Sequence, residues 1–366
     1  MSDLAIGIMS GTSGDGIDAA LIEVDDAGAF GRLIAHRHEP FSAELADRII
    51  AIGAGERVTA AEVAWLHGAL GDAYAEEAIA LVRSASTPPK VIGMHGQTVA
   101  HLRRTHVTLQ IGDGARVAVR TGIPTVTDLR SADIAAGGEG APLTPFADHV
   151  LFAGGAPRVV VNIGGIANVT LIPDGEREHV SGFDTGPGNM VIDLIARMND
   201  QPFDRDGAGA RRGNVNDSAL RRALAHPYFA EPAPKSTGRE DFGATFAHAL
   251  VDDVRATGGS LDDALATATE LTAQTIADAI REAGTAWNDV VVAGGGSANP
   301  TLMEALRRAV TPLPMRKSDE LGLPAAAREA VAFAILAVYR IRGLPNTLPR
   351  VTGARHAVSA GAVHSP

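Results

Sequence analysis

The chain has no cysteine, so disulfides, thiolate metal sites and a cysteine nucleophile are all excluded. It has no stretch of about 18 or more apolar residues, the length needed to span a bilayer as a helix. Its start, Met1-Ser2-Asp3-Leu4, has no basic segment followed by a long apolar run, so no secretory signal is read and the cytoplasm is the expected compartment. Lysine is scarce: Lys90, Lys235 and Lys317 are the whole set. Arginine supplies nearly all the positive charge, which we attribute to a GC-rich gene. Net charge is −11, which argues against non-specific binding to nucleic acid or anionic membrane. An anionic small-molecule substrate stays open, because local arginines decide that.

What is present is a large globular chain. Its 366 residues exceed one small domain and fit two of ordinary size. With 45% apolar and 20% charged residues it can bury a sizeable core. An apolar strand, Leu4 to Met9, runs into a glycine-rich turn and a second strand near Asp18 to Val24, which together read as a hairpin. Ala60 to Ser84 reads as a helix, because Val63, Leu66, Leu70, Tyr74 and Leu81 recur at spacings of three, four or seven. Short strands follow at Val91 to Met94, Val107 to Ile111 and Pro124 to Thr127, and a Gly/Pro-rich stretch, Ala135 to Pro145, reads as a crossover between domains.

The pattern then restarts. Arg158 to Asn162 is a strand, Gly164 to Ala167 a turn, and Asn168 to Ile172 a strand, which hints at a duplicated α/β domain. Helices are expected from about Asp241 to Arg255, Asp262 to Glu282 and Pro324 to Arg340. A strand, Asp289 to Val292, runs into three glycines, and Asn299-Pro300 makes a good helix start. Alternating strands and helices make the class α/β.

Six places hold residues suited to chemistry. In Gly11-Thr12-Ser13-Gly14-Asp15-Gly16 the glycines are spaced as in a Walker A loop, but Ile17-Asp18 stands where Lys-Ser/Thr is required. The dinucleotide fingerprint fails too. The composition still suits phosphate, through exposed backbone N–H groups, two hydroxyls and an acid able to hold magnesium; a plain hairpin turn fits equally. Asp184-Thr185-Gly186-Pro187-Gly188-Asn189 presents a carboxylate at a strand end. It reads either as a base for phosphoryl transfer or as a capping acid. Gly294-Gly295-Gly296 permits close approach of a flat ligand such as adenine, or simply a tight turn.

His95-Gly96-Gln97-Thr98, with His101 beyond, matches no zinc pattern and better suits hydrogen bonding to a polyhydroxylated ligand. Arg130 follows a strand and can grip a carboxylate through two parallel hydrogen bonds, although an internal ion pair with Asp128 or Asp133 is the preferred reading of the residues alone. Glu329 lies among apolar residues and needs a partner: Arg328, another domain, or a metal.

The order of these motifs says more than any one of them. Met9 to Asp18, His95-Gly96-Gln97-Thr98, Gln110-Ile111-Gly112, Asp128-Leu129-Arg130, Gly137 to Leu143, Asn162 to Asn168, Asp184 to Asn189, Gly294-Gly295-Gly296 and Glu329, taken as a series over nearly the full chain, resemble the anhydro-N-acetylmuramic acid kinases. One position departs: Gly14 stands where that family usually has a larger apolar residue, and is expected to loosen the turn without removing a functional group.

The resemblance implies two actin-like (ribonuclease H-like) α/β domains with an ATP/sugar cleft between them. Residues 1–141 with about 341–366 form the first and 142–340 the second. It implies an ATP- and Mg2+-dependent kinase that opens 1,6-anhydro-N-acetylmuramic acid with water and yields N-acetylmuramic acid 6-phosphate, in recycling of cell-wall sugars. Asp184 would be the general base. Gly11, Thr12, Ser13, Gly14, Asp15, Gly16, Ile17, Asp18, Asn162, Gly164, Gly165, Gly294, Gly295 and Gly296 would bind ATP. Asp15 and Glu329 would orient magnesium, and His95, Gln97 and Arg130, with Asp184, would face the sugar. A levoglucosan-type kinase and a non-catalytic sugar sensor of the same fold are the rival readings; an actin-like filament protein is a third. The partners implied are the anhydro sugar and ATP, with no nucleic acid and no membrane, and a homodimer is compatible with the sequence.

Overall fold

A computed structural model describes residues 2–11, 14–53, 55–102 and 105–366. The chain forms two compact units, residues 1–152 with 322–366, and residues 153–321. This division differs from the expected one, which put the last long helix, Arg328–Ile341, in the second unit. The helix belongs to the first because it packs on that unit's sheet.

The first unit is built on a six-stranded sheet of order β13-β7-β4-β1-β2-β3. Its strands are β1 (Asp3–Ser10), β2 (Gly16–Val24), β3 (Phe30–Pro40), β4 (Val91–Met94), β7 (Thr125–Thr127) and β13 (Ala362–His364); β5 (Gln97–Leu102) and β6 (Val107–Ile111) make a separate hairpin. β1, β2 and β3 form an antiparallel meander, and β4 and β7 add in parallel.

The second unit repeats this plan. β8 (Arg158–Ile163), β9 (Ile166–Ile172) and β10 (Ser181–Pro187) form an antiparallel meander, and β11 (Asp289–Ala293) and β12 (Met315–Lys317) add in parallel, in the order β10-β9-β8-β11-β12. The same five-strand order therefore occurs twice. This is the duplicated ribonuclease H-like α/β arrangement that the two strand–glycine–strand openings hint at.

Strand alternation divides each sheet into two faces. In the first unit Leu4, Ile6, Ile8, Ile17, Ala19 and Leu21 join the apolar core that receives the helix Ala60–Val82. On the opposite face Gly7 and Gly93 lie side by side in the parallel β1–β4 register. The helix Arg328–Ile341 sits directly on this pair. A Cβ on Gly7 would come within 1.8 Å of the Ala330 carbonyl oxygen, and one on Gly93 within 2.0 Å of the Phe333 carbonyl oxygen. Backbone thus meets backbone, with no side chain between.

The same helix is anchored by Arg328, which is 1% exposed and donates from Nε to Asp148 Oδ1 at 2.9 Å. A buried guanidinium needs such a carboxylate, and removal of either partner leaves an uncompensated charge. In the second unit Val159, Val161, Ile163, Val169 and Phe183 face a core closed by the helices Leu261–Glu282 and Pro300–Val310. Asn299 caps the latter, accepting from the N–H groups of Thr301 and Leu302, with Pro300 at the first helical position as expected. No helix among the described residues is long and apolar enough to cross a membrane.

Gly7→Ala is expected to cost about 3 kcal/mol or more, because the new methyl meets main chain that cannot rotate away. Gly53→Ala, where a Cβ meets nothing within 4 Å, serves as control. Urea unfolding of both variants checks this; equal midpoints would mean that the helix is not seated on Gly7.

Candidate active site

In the first unit the polar residues gather on the face that carries the helix Arg328–Ile341. His95, which follows β4, is buried, and its ring lies 4.6 Å from that of Phe333, on the helix. Its Nδ1 is 2.8 Å from the Gly96 carbonyl, which can only accept, so Nδ1 carries the proton. Nε2 is then an acceptor, and Arg130 fills it twice, from Nε at 3.0 Å and Nη2 at 2.8 Å. Burial first, and the Arg130 charge second, push the His95 pKa well below its ordinary value, so the ring stays neutral.

Arg130 also donates from Nη1 to the Gly140 carbonyl at 2.6 Å. Burial brings its pKa down to about 10, opposed by Glu329 and Asp133, and it keeps its charge. The ion pair with Asp128 or Asp133 that the sequence favoured does not form. Asp128, at φ 50°, turns to the Ser131 hydroxyl, while Asp133 accepts from the Thr352 hydroxyl and the Gly140 N–H. Arg130 and Asp133 therefore hold Gly140 by its two backbone groups. A guanidinium carries five N–H donors; three serve these bonds, which leaves two for a ligand.

The opening turn is tied to the same neighbourhood. The Gly11 carbonyl accepts from Gln97 Nε2 at 3.1 Å and from the Gly14 N–H at 3.3 Å. Gln97 is 1% exposed, and its Oε1 is a buried acceptor with no partner among the described residues, which suits a hydroxyl or amide donor. Thr12 and Ser13 lie outside the described residues. Gly14 adopts φ +69°, where an L side chain is strained, and an added Cβ would come within 3.1 Å of Ile50. Ile17 is buried in the apolar core, so only its backbone can serve a ligand. Gly16 is buried and pairs with Pro40, and Asp15 is exposed.

Asp18 is partnered by two residues that sequence reading missed. Its Oδ1 lies 3.2 Å from His36 Nε2 and 3.0 Å from His38 Nδ1, both on β3. The signal available was the alternation His36-Arg37-His38, two rings on one face of a strand. Glu329 opens the helix Arg328–Ile341 and has solvent-accessible surface. Its pKa is nevertheless raised: loss of hydration is the largest cause, Asp18 adds to it, and Arg328 and Arg130 oppose it. Among the described residues no three His, Asp or Glu side chains are assembled to hold a metal. Magnesium does not require that, since one or two carboxylates plus substrate phosphates are its usual protein site. Asp15 and Glu329 are hard oxygen donors of the kind that Mg2+ takes. His101, weighed as a second histidine beside His95, instead meets the Thr108 hydroxyl at 3.1 Å.

In the second unit Asp184, Asn168 and Asn162 stand opposite one another across β10, β9 and β8, and Asn162 pairs in turn with Ala293 at the end of β11. Directly paired residues share a face, here the one turned away from the core of Val161 and Phe183. Asn162, Gly164, Gly165, Gly294, Gly295 and Gly296 are thereby brought together at one end of the sheet. A Cβ on Gly294 would lie 2.7 Å from Asn162 Oδ1, and Gly165 and Gly295 are exposed. The carbonyls of Gly164 and Gly165 accept from Asn189 and Met190, which begin the helix after the Asp184 motif.

Asp184 lies on the edge strand β10 where the pairing shifts before Gly186, a bulge that re-aims the chain. It is half-buried and held at three points. Its N–H donates to the Lys235 carbonyl at 3.1 Å, its carbonyl accepts from the Tyr228 hydroxyl at 2.6 Å, and Oδ2 accepts from the Thr237 N–H at 3.0 Å. Sequence reading missed Tyr228, Lys235 and Thr237. The segment Lys235-Ser236-Thr237-Gly238 is rich in phosphate- and carboxylate-binding residue types, and that composition was the signal available.

Comparison with known proteins gives the following matches. A family model described as anhydro-N-acetylmuramic acid kinase matches residues 3–366. Curated proteins of that name from Vibrio cholerae (39% identical, 100% of this chain and 99% of the relative), Cyanothece sp. (40%, 98% and 99%) and Streptomyces avermitilis (42%, 98% and 93%) are similar over nearly their full lengths. Among solved structures, the chain resembles the activator of 2-hydroxyisocaproyl-CoA dehydratase from Clostridium difficile with bound ADPNP (13% identical, 93% and 96% covered, TM-score 0.48). It also resembles a ROK hexokinase from Thermus thermophilus (17%, 92% and 99%, TM-score 0.41).

The neutrality of His95 has a thermodynamic consequence. Unfolded, the ring protonates near pH 6.5; folded, its pKa lies well below that. The unfolded state then binds the extra proton, so the stability tied to this group is present above pH 6.5 and lost as pH falls below it. Urea midpoints from pH 7.5 to 5 should drop more steeply for the native protein than for His95→Gln. The expected difference is about 1.4 kcal/mol per pH unit, and parallel curves would show that the ring titrates normally.

Proposed function

The chain belongs to the anhydro-N-acetylmuramic acid kinase family, and on that premise we propose that it converts 1,6-anhydro-N-acetylmuramic acid to N-acetylmuramic acid 6-phosphate with Asp184 as the general base. The observation that supports this reading best is the three-point hold on Asp184. A carboxylate so fixed on a strand end can take a proton from an attacking water without losing time to rotation. One oxygen accepts from the Thr237 N–H, and a carboxylate has further lone pairs with which to accept a proton.

The bonds balance as follows. A water oxygen attacks the anomeric carbon and gives its proton to Asp184. The bond from that carbon to the bridging oxygen breaks, and the freed 6-oxygen bonds to the γ-phosphorus of ATP. The bond from that phosphorus to the β–γ bridging oxygen breaks, and ADP leaves. Phosphoryl transfer of this kind depends mainly on positioning and charge. The backbone of the Gly11–Gly16 turn and the glycines at 164–165 and 294–296 would take the nucleotide, beside Asn162 and Asp18. The sugar would meet Gln97 and Arg130; His95, expected there too, has both ring nitrogens taken by Gly96 and Arg130 and would act by holding Arg130. The lactyl carboxylate suits the two uncommitted N–H donors of Arg130, and the unpartnered Gln97 Oε1 suits a sugar hydroxyl. Asp15 and Glu329 would hold Mg2+, whose contribution is to offset phosphate charge. The relatives' names favour the muramic sugar over levoglucosan and over a sensor role. Recycling of cell-wall sugars in the cytoplasm, where ATP is at hand, is the matching context.

Asp184→Asn should fold and bind ATP while kcat falls by orders of magnitude; near-normal turnover would overturn the base assignment. Arg130→Ala should raise KM for the sugar and leave that for ATP little changed. In water enriched in heavy oxygen, mass spectrometry should find label at the anomeric hydroxyl and none in the phosphate. An unlabelled product would exclude hydrolytic opening.

A further inference from the structure

Three of the bonds that hold Asp184 come from one short stretch, residues 228–237, and the Lys235 side chain ties the two ends of that stretch together. Tyr228 lies in the 3₁₀ turn Pro227–Ala230, and Lys235 and Thr237 lie beyond it. The Lys235 ammonium donates to the carbonyls of Tyr228 and Phe229, each at 3.1 Å, and sits 4.8 Å from the centre of the Tyr228 ring. It thereby ties the turn that supplies the Tyr228 hydroxyl to the strap that supplies the Lys235 carbonyl and the Thr237 N–H.

We propose that Lys235 is a positioning residue for the reaction, acting on Asp184 through this closed loop. The proposal rests on Asp184 being the base.

Three observations carry it. The first is connectivity: the three contacts to Asp184 converge on a loop whose two ends meet at Lys235 Nζ. The second is placement. Phe183 and Thr185, the strand neighbours of Asp184, line a cavity of about 300 Å3 together with Phe229, Lys235, Asp278 and Glu282. Lys235 therefore works from the cavity side, opposite the face to which alternation directs Asp184, and need not touch the sugar. The third is residue choice. In a chain whose cations are almost all arginine, this is one of three lysines. A compact ammonium can donate to two converging carbonyls under an aromatic ring, whereas the donors of a planar guanidinium are fixed in a fork.

The charges facing Lys235 are Glu282 and Glu231, which favour its ionised form against the burial that lowers its pKa. Asp241 takes the Thr237 hydroxyl at 2.6 Å and steadies the far end of the strap. Loosening the loop would weaken the Thr237 N–H bond to the carboxylate. That bond favours the ionised form, so its loss raises the Asp184 pKa and reduces the fraction of competent base at low pH.

The test is the pH profile of kcat in Lys235→Met and Tyr228→Phe, with melting temperatures and both KM values. Lys235→Met should lower kcat about 10- to 100-fold, the scale of a displacement of about 1 Å. The acid limb should move to higher pH, with KM for ATP within about twofold of native. Tyr228→Phe, which removes only a hydroxyl, should fold and shift the limb the same way with a loss of about threefold. It decides the matter if Lys235→Met does not fold. An unmoved acid limb in the folded variants would overturn the proposal, whether or not kcat falls, since a purely structural role lowers active fraction without changing the titration. Asp184→Asn, run alongside, separates the premises. Activity in that variant would defeat the base assignment itself. An inactive Asp184→Asn beside unaffected Lys235→Met and Tyr228→Phe would defeat only the positioning role.

Discussion

The helix Arg328–Ile341 lies on bare backbone at Gly7 and Gly93, and the polar residues of the first unit depend on that contact. Because no side chain intervenes, the separation of helix and sheet is set by main-chain contact and has almost no slack. Phe333 then meets the His95 ring, His95 receives Arg130, and Arg130 with Asp133 fixes Gly140. Glu329 begins the same helix, one residue after the Arg328 that locks it to Asp148. A buried ion pair contributes little net stability against an apolar alternative. Its value here is register: it pins the helix end that carries Glu329, whose charge is in electrostatic contact with Asp18 and Arg130.

The duplicated sheets place different chemistry at equivalent positions. In the first unit the row across the meander is Met9, Asp18, His38; in the second it is Asn162, Asn168, Asp184. The carboxylate is central and bound by histidines in one row, and sits on the edge strand beside a bulge in the other. A central, histidine-bound carboxylate is well placed to set local charge. An edge carboxylate with a backbone donor is well placed to exchange a proton. One topology thus presents a histidine-bound carboxylate in one row and a backbone-held carboxylate in the other.

Much of the fold was legible because its elements follow local rules. β4 and β6 were read at their observed limits, and the long helix Ala60–Val82 and the Asn299-Pro300 start were read within two residues. β3 was not read, since Phe30–Pro40 is largely exposed and polar, and its pairing with β2 gives it order. The helix Arg328–Ile341 was found but placed in the wrong unit, because its partners, Gly7, Gly93 and Asp148, lie far away in sequence and two of them have no side chain to advertise contact. For the site, motif residues such as Asp184 and Arg130 were visible as types in order. Their partners were not: the preferred ion pair of Arg130 with a near neighbour lost to His95, 35 residues away. Tyr228, Lys235 and Thr237 act on Asp184 from some 40 to 50 residues away, the last two through their own backbone groups and Tyr228 through its hydroxyl on the Asp184 carbonyl, contacts that leave no trace in side-chain spacing.

The second unit is one uninterrupted stretch, residues 153–321, inserted into the first. Synthesis runs from the N-terminus and compact units fold as their residues emerge. The second unit can therefore close its cores before the helix Arg328–Ile341 is made. The first cannot, for the helix that covers Gly7 and Gly93 is made only after the second unit. On the ribosome the older half of the protein is thus the later to mature. Until it does, the face of β1 and β4 that will bear His95 and Arg130 lacks its cover.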